Sequence, residues 1–163
     1  MSYKVGAYVK LAKLWERKRA EAEKYHKDYY AVKYADNPDV ELKGVFIDIT
    51  GKKEIWRRPQ MIQLLMECRA ADVNCIVSQT KAYLAANTED FFFLIHYLFS
   101  FPHRIDIVTE DPNYNINTIA NEESQKENLM AAATKYVRME GERYVRWLNE
   151  ISAAMEMMEA LNG

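Results

Sequence analysis

Cysteine is almost absent: Cys68 and Cys75 are the only two in a chain of 163 residues. Two cysteines make neither a disulfide framework nor a zinc site, and they fit an intracellular chain whose thiols stay reduced. Glycine is scarce as well, five in all, and no G-x-G-x-x-G or P-loop run occurs to cradle a nucleotide phosphate. His26, His96 and His103 stand at no metal-ligand spacing with Cys, Asp or Glu, so neither a metal nor a cofactor is expected. No hydrophobic run is long. The most apolar one, Phe91 to Phe99, is interrupted by His96 and falls well short of the roughly 20 residues that cross a bilayer. The N-terminal sequence MSYKVGAYVKLAKLWERKR lacks an apolar stretch followed by a small-residue cleavage site. A basic excess is also missing: 22 Lys and Arg against 24 Asp and Glu give a net charge of -2. Nucleic-acid binders usually carry a basic excess or stripe, so only a local patch would serve. The expectation is a soluble, cytoplasmic protein.

What is present is an ordinary globular balance, 49% apolar and 28% charged, in a chain long enough for one self-sufficient core. Lys4 to Val9 reads as a buried first strand. From Leu11 to about Ala35 there is no Gly or Pro, and Ala22, Tyr25, Tyr29 and Val32 recur at helical spacing, which predicts a helix with those residues facing the core. Asn37-Pro38-Asp39 breaks it, and Val40 to Ile49 reads as a second strand. Pro59 suits the first turn of a helix carrying Met61, Leu64, Leu65 and Cys68 to about Ala71. Cys75 to Ser78 is a third strand. Asn87 or Thr88 caps a helix through Phe99, with Glu89 and Asp90 in its first turn where the dipole favours acids. Ile105 to Val108 makes a fourth strand. Strands alternating with helices predict an α/β fold with helices on the faces of a sheet.

Residues 121–161 contain no proline and one glycine, Gly141. Val137, Tyr144, Leu148, Ile151, Met155 and Met158 fall on heptad positions, with Gly141 filling the missing one. The division expected is residues 1–118 as an α/β domain and residues 119–163 as a long projecting helix whose seam takes a partner; the competing reading is that it folds back on its own sheet.

The segment Trp56 to Asp90 (WRRPQMIQLLMECRAADVNCIVSQTKAYLAANTED) resembles the serine-recombinase, or resolvase/invertase, catalytic domain. It carries Arg58-Pro59, then Met61, Leu64 and Leu65, then a strand leading into Asn87-Thr88-x-Asp90. Val5-Gly6-Ala7-Tyr8-Val9 stands where that family's first strand begins. Tyr114-Asn115-Ile116-Asn117-Thr118 is similar to the loop before the family's long last helix. The resemblance covers residues 3–145. It implies a mostly parallel sheet of four to five strands, flanked by helices and followed by a helix through which members of the family dimerise.

It also implies chemistry, and the residues for that chemistry are largely missing. Family members attack a DNA phosphodiester with a serine while arginines stabilise the charge developing on phosphate. Where active members read Y-x-R-V-S-T, this chain reads Tyr8-Val9-Lys10-Leu11-Ala12-Lys13, so the arginine is Lys10 and the serine Ala12. Where they read S/D-R-F-G-R-N, it reads Ala82-Tyr83-Leu84-Ala85-Ala86-Asn87, so Ala82, Tyr83 and Ala86 replace the acid or hydroxyl and two arginines. Arg58 survives, as does a Glu-Arg pair at Glu142-Arg143; the second helix arginine is Asn149. The bland readings are a solvated basic corner for Arg57-Arg58 and surface pairing with Glu140 or Glu142 for Arg143. Tyr83 is a weak substitute nucleophile, because its neighbours Ala82, Leu84, Ala85 and Ala86 offer no cluster of cations, and Thr80 and Ser78 are similarly weak.

The function implied is a catalytically inactive, dimerising accessory or regulatory module in site-specific recombination of a mobile element. Its partner would be a second copy or an active recombinase. The alternative is a divergent or truncated serine recombinase that still cuts and exchanges strands with replaced residues. Residues 149–163 carry Glu150, Glu156 and Glu159 and no Lys or Arg. That argues against autonomous DNA binding, since phosphate contact needs cations.

Overall fold

The short β-prone segment at the N-terminus becomes an inner strand of a wholly parallel sheet. The computed structural model describes residues 2–112, 115–120 and 122–162, except the side chains of 122–124; Tyr114 of the expected loop lies outside them. The strands are β1 (Tyr3–Leu11), β2 (Val40–Ile49), β3 (Cys75–Ser78) and β4 (Asp106–Thr109). Their order is β2-β1-β3-β4. The chain moves outward from β1 to β2, then crosses back to β3 and β4, so the order reverses between β1 and β3. In such sheets, sites collect at the carboxyl ends of the strands where the order reverses.

Among the described residues six α-helices accompany the sheet: α1 (Arg19–Tyr34), α2 (Pro59–Arg69), α3 (Lys81–Leu84), α4 (Thr88–Phe99), α5 (Glu122–Met139) and α6 (Gly141–Asn162). Alternation along the strands divides the core in two. Val5, Ala7, Val9, Ile47, Ile49, Cys75 and Val77 face α1, which inserts Tyr30. Tyr8, Phe46, Ile76 and Ile107 face the larger layer of α2, α4, α5 and α6. Helices on both faces are what right-handed crossovers on either side of β1 require.

Several expected elements sit where the sequence puts them. Pro59 occupies the first turn of α2, and the Asn87 side chain accepts from the Asp90 N–H at 2.9 Å to cap α4. The segment after Lys10 differs. The strand continues to Leu11, opposite Ile49, and residues Lys13–Lys18 form a 3-10 turn before α1 begins. The face of α1 is also rotated from the expected one. Ala22, His26 and Tyr30 are buried, whereas Tyr25 and Val32 are 64% and 77% exposed. Tyr25 and Tyr29 lie on one side of this helix and Tyr30 and Tyr34 on another, so aromatic residues alone select no face; the sheet selects the one that buries Tyr30.

The C-terminal segment is long and helical but is two helices, with a turn at Glu140. α5 runs antiparallel to α4: Lys126 lies 4.8 Å from the Phe99 ring centre, and Tyr136 packs on Phe92 and Phe93. α6 reverses this course. Trp147 meets Phe93 and then Tyr97, and Arg69 of α2 reaches Met155 Sδ at 3.2 Å and Glu159 at 2.8 Å. The seam is therefore covered by its own domain rather than presented on a projecting helix. Tyr144, Ile151 and Met155 are buried, and Val137, Leu148 and Met158 are partly buried on the same core. The physical reason is that α2 and α4 leave an apolar groove, and covering each large side chain contributes about 1.5–3 kcal/mol.

Packing leaves one place in β1 without room for a side chain. A Cβ on Gly6 would stand 2.5 Å from Leu64 Cδ1 and 3.2 Å from Val73 Cγ1. Gly6→Ala is expected to lower stability by about 1–3 kcal/mol in urea denaturation, the usual cost of overpacking.

Burial also holds the His26 and His96 imidazoles below their ordinary value of 6.5. The unfolded chain takes up those protons first, so their contribution is complete above 6.5 and declines as pH falls through it. The melting temperature should drop between about pH 7.5 and about pH 5.5, and His26→Gln/His96→Gln should flatten that dependence in circular dichroism melts.

Candidate functional site

At the carboxyl end of β1 and β2 a buried polar junction replaces what would otherwise be an open crevice. Tyr8 Oη donates to Asp48 Oδ2 at 2.8 Å. The same carboxylate accepts the backbone N–H groups of Gln60 at 3.0 Å and Met61 at 2.9 Å. Asp48 thereby caps α2 from a neighbouring strand, a role that Arg58 at the cap position does not fill. Tyr8 is fully buried, and burial together with the Asp48 charge raises its phenol pKa far above the ordinary range, with Arg58 opposing. It is a packed hydrogen-bond donor, not a nucleophile.

Arg58 lies next to this junction and is 0% exposed. Its Nη1 donates to the carbonyls of Tyr83 at 2.8 Å and Leu84 at 3.4 Å, and its Nη2 to the carbonyl of Lys53 at 2.7 Å. Nε has no partner. The guanidinium ties the loop after β2 to α3 and is turned away from solvent. The solvated basic corner expected for Arg57-Arg58 therefore holds for Arg57 alone, which is exposed and paired with Glu54 at 3.6 Å.

Lys10 is partly exposed on the same edge. Burial, then Arg58, lowers its pKa, while Asp48 opposes. Lys10, Arg58 and Asp48 are thus within electrostatic reach of one another, as the resemblance implies for the first and second. Ala12 follows on the exposed end of β1, just beyond Leu11, whose carbonyl accepts from Thr50 N–H at 3.0 Å. The substitute nucleophiles are engaged elsewhere. Ser78 Oγ is buried and donates to the Tyr8 carbonyl at 2.8 Å, and Thr80 Oγ1 caps α3 by accepting from Ala82 N–H at 3.2 Å. Tyr83 is a half-buried packing residue between the two core layers.

The other candidate positions are dispersed. Ala82 and Ala86 are exposed and line a groove of about 870 Å³ between α3, α4 and α5, floored by Phe91, Phe92 and Leu129. Glu142 and Arg143 stand in the first turn of α6. There Arg143 pairs with Glu89 at 3.1 Å and, less closely, Glu140 at 3.7 Å. Asn149 is exposed on the same helix. No group of three or more His, Cys, Asp or Glu side chains suited to a metal occurs among the described residues. Both cysteines are free and buried; burial pushes the Cys75 thiol up to about 12, which suppresses thiolate chemistry.

Two features escaped the sequence reading. Asp48 gives no signal in its own strand, because its role arises only when α2 is brought over β2. The edge is also locally basic despite the net charge. Lys10 and Lys53 are within electrostatic reach of each other, and the segments that carry them meet where Thr50 bonds to Leu11.

Similarity to known proteins lies in structure. The N-terminal catalytic domain of TP901-1 integrase superposes with a TM-score of 0.57 at 14% identity, covering 83% of this chain and 97% of that one. A resolvase family site-specific recombinase from Streptococcus pneumoniae superposes at 0.54 with 15% identity, covering 94% of this chain and 99% of that one. The chain has a resolvase-type fold. No protein-family model and no curated protein sequence matches it. In that fold the edge just described carries Ala12, Lys10 and a buried Arg58, while no helix among the described residues is long and apolar enough to cross a membrane.

Arg58→Lys tests whether the guanidinium is structural. An ammonium cannot serve three separated carbonyls, so stability should fall by about 2–4 kcal/mol in urea denaturation. A change within a few tenths would contradict the buried role.

Proposed function

We propose that this chain is a recombinase-fold module that performs no strand cleavage. It acts by association, with a second copy or with an active recombinase, as an accessory or regulatory component of site-specific DNA recombination in a mobile element. The fold supports the recombination link. The observation that carries the inert reading is the state of the β1 edge: Ala12 offers no hydroxyl, and Arg58 gives its donors to protein carbonyls.

Phosphoryl transfer needs preorganised cations around the phosphate and an oxygen held in line. Loss of one such donor typically costs about a hundred- to a thousandfold in rate. Here the missing donors and the missing nucleophile coincide. Lys13, Lys52 and Lys53 are exposed, but long solvated lysines are not a fixed guanidinium cage.

The test is incubation with supercoiled DNA, with detection of nicking and of a covalent protein–DNA adduct. Neither is expected, and Ala12→Ser alone should restore neither, because the serine would still lack its arginines. An adduct formed by the unmodified chain would establish the divergent-enzyme reading instead.

A further inference from the structure

We propose that the crevice between the first turn of α4 and the N-terminal half of α6 is a binding site for a planar organic cation, an amidinium or guanidinium group that pairs with the Asp90 carboxylate. The crevice has a volume of about 330 Å³, and Trp56, Phe93 and Trp147 give it aromatic walls. That size lies at the lower end of small-ligand pockets.

Asp90 lines the crevice with only 7% of its surface exposed. A carboxylate so far removed from water is costly unless hydrogen-bonded or paired. Asp48, equally buried, receives three hydrogen bonds. Asp90 is not served in this way. Among the described residues the donor turned toward it is the Trp147 indole, and that bond is not completed: Nε1 is buried without a partner. Arg58 is within electrostatic reach, but its Nη groups are spent on carbonyls. Burial prevails over the opposing charge of Arg58 and holds the Asp90 carboxyl above its ordinary range. The result is a desolvated acceptor whose bonding capacity is unfilled, facing a cavity.

The rim fixes the sign of the occupant. Arg143 is engaged by Glu89 at 3.1 Å and Glu140 at 3.7 Å. Arg146 and Glu150 stand one turn apart on the exposed side of α6, where opposite charges balance each other. The charge left over is the buried carboxylate. The walls fix the shape. A flat delocalised cation lies against indole and phenyl faces and keeps its N–H groups in plane for a carboxylate, whereas a compact ammonium is more strongly hydrated and gives up more on entering.

The chain has three tryptophans, and Trp15, 44% exposed, lies outside the crevice, so the three indole N–H signals in an NMR titration contain their own control. Benzamidinium should shift Trp56 and Trp147 saturably, with a midpoint on the order of 1 mM as for a ligand of few contacts, and leave Trp15 unmoved. Benzamide, which has the same shape without the charge, should bind about tenfold more weakly or worse, and benzoate should not bind. N-acetylarginine amide separates the two sources of such a cation. Tighter binding than benzamidinium identifies an arginine side chain of a peptide, and weaker binding a free aryl cation; either order supports the site.

Asp90→Asn should weaken benzamidinium about tenfold or more, and Glu150→Lys, at the exposed rim, about threefold. Circular dichroism checks that each variant folds. Where Asp90→Asn fails to fold, weakening by Glu150→Lys supports the site and unchanged binding overturns it. No saturable shift, shifts confined to Trp15, benzamide binding as well as benzamidinium, or a folded Asp90→Asn that binds like the parent would each overturn it.

Discussion

The Asp48 carboxylate is the point on which the working edge of the molecule is built. It joins an inner strand through Tyr8 and the start of α2 through two backbone N–H groups. A buried carboxylate with fewer partners would be costly. With these three donors it fixes the angle at which the chain enters α2, and that angle carries Arg58 inward. Arg58 then holds α3 and the loop after β2 through three carbonyls. Strand, helix and both loops of the edge are thus coupled through two side chains.

This coupling changes what the surviving arginine means. An arginine near the carboxyl ends of the strands of a parallel sheet invites a catalytic reading. Its burial and its neutral partners make it a scaffold instead. Lys10 remains at the edge with a positive charge disfavoured by burial and by Arg58.

Much of the fold was legible from residues. Asn37-Pro38, Pro59 and Asn87 punctuate the chain by mechanisms that act locally, and β2, α2, β3 and α4 follow them closely. What failed was decided at a distance. Leu11 stays in β1 because Ile49 pairs with it, although the following residues look helical. α1 turns His26 and Tyr30 inward because the sheet accepts Tyr30, and a helix with tyrosines on two sides gives no warning of that. The heptads of the last segment continue through Gly141, so periodicity conceals the turn. The placing of Lys10 and Ala12 at the end of β1 was legible. The burial of Arg58 was not, since Arg-Pro before a helix reads the same in solvent as in a core.

The central claim is that the Arg58 guanidinium is a sequestered structural group at the carboxyl end of β1. Side-chain nitrogen NMR of Arg58 measures this directly, with inorganic phosphate and then duplex DNA titrated into the folded chain. The account predicts slowly exchanging guanidinium protons whose shifts stay unchanged on addition of either. Rapid exchange, or a saturable shift at Arg58 on adding phosphate or DNA, would contradict it.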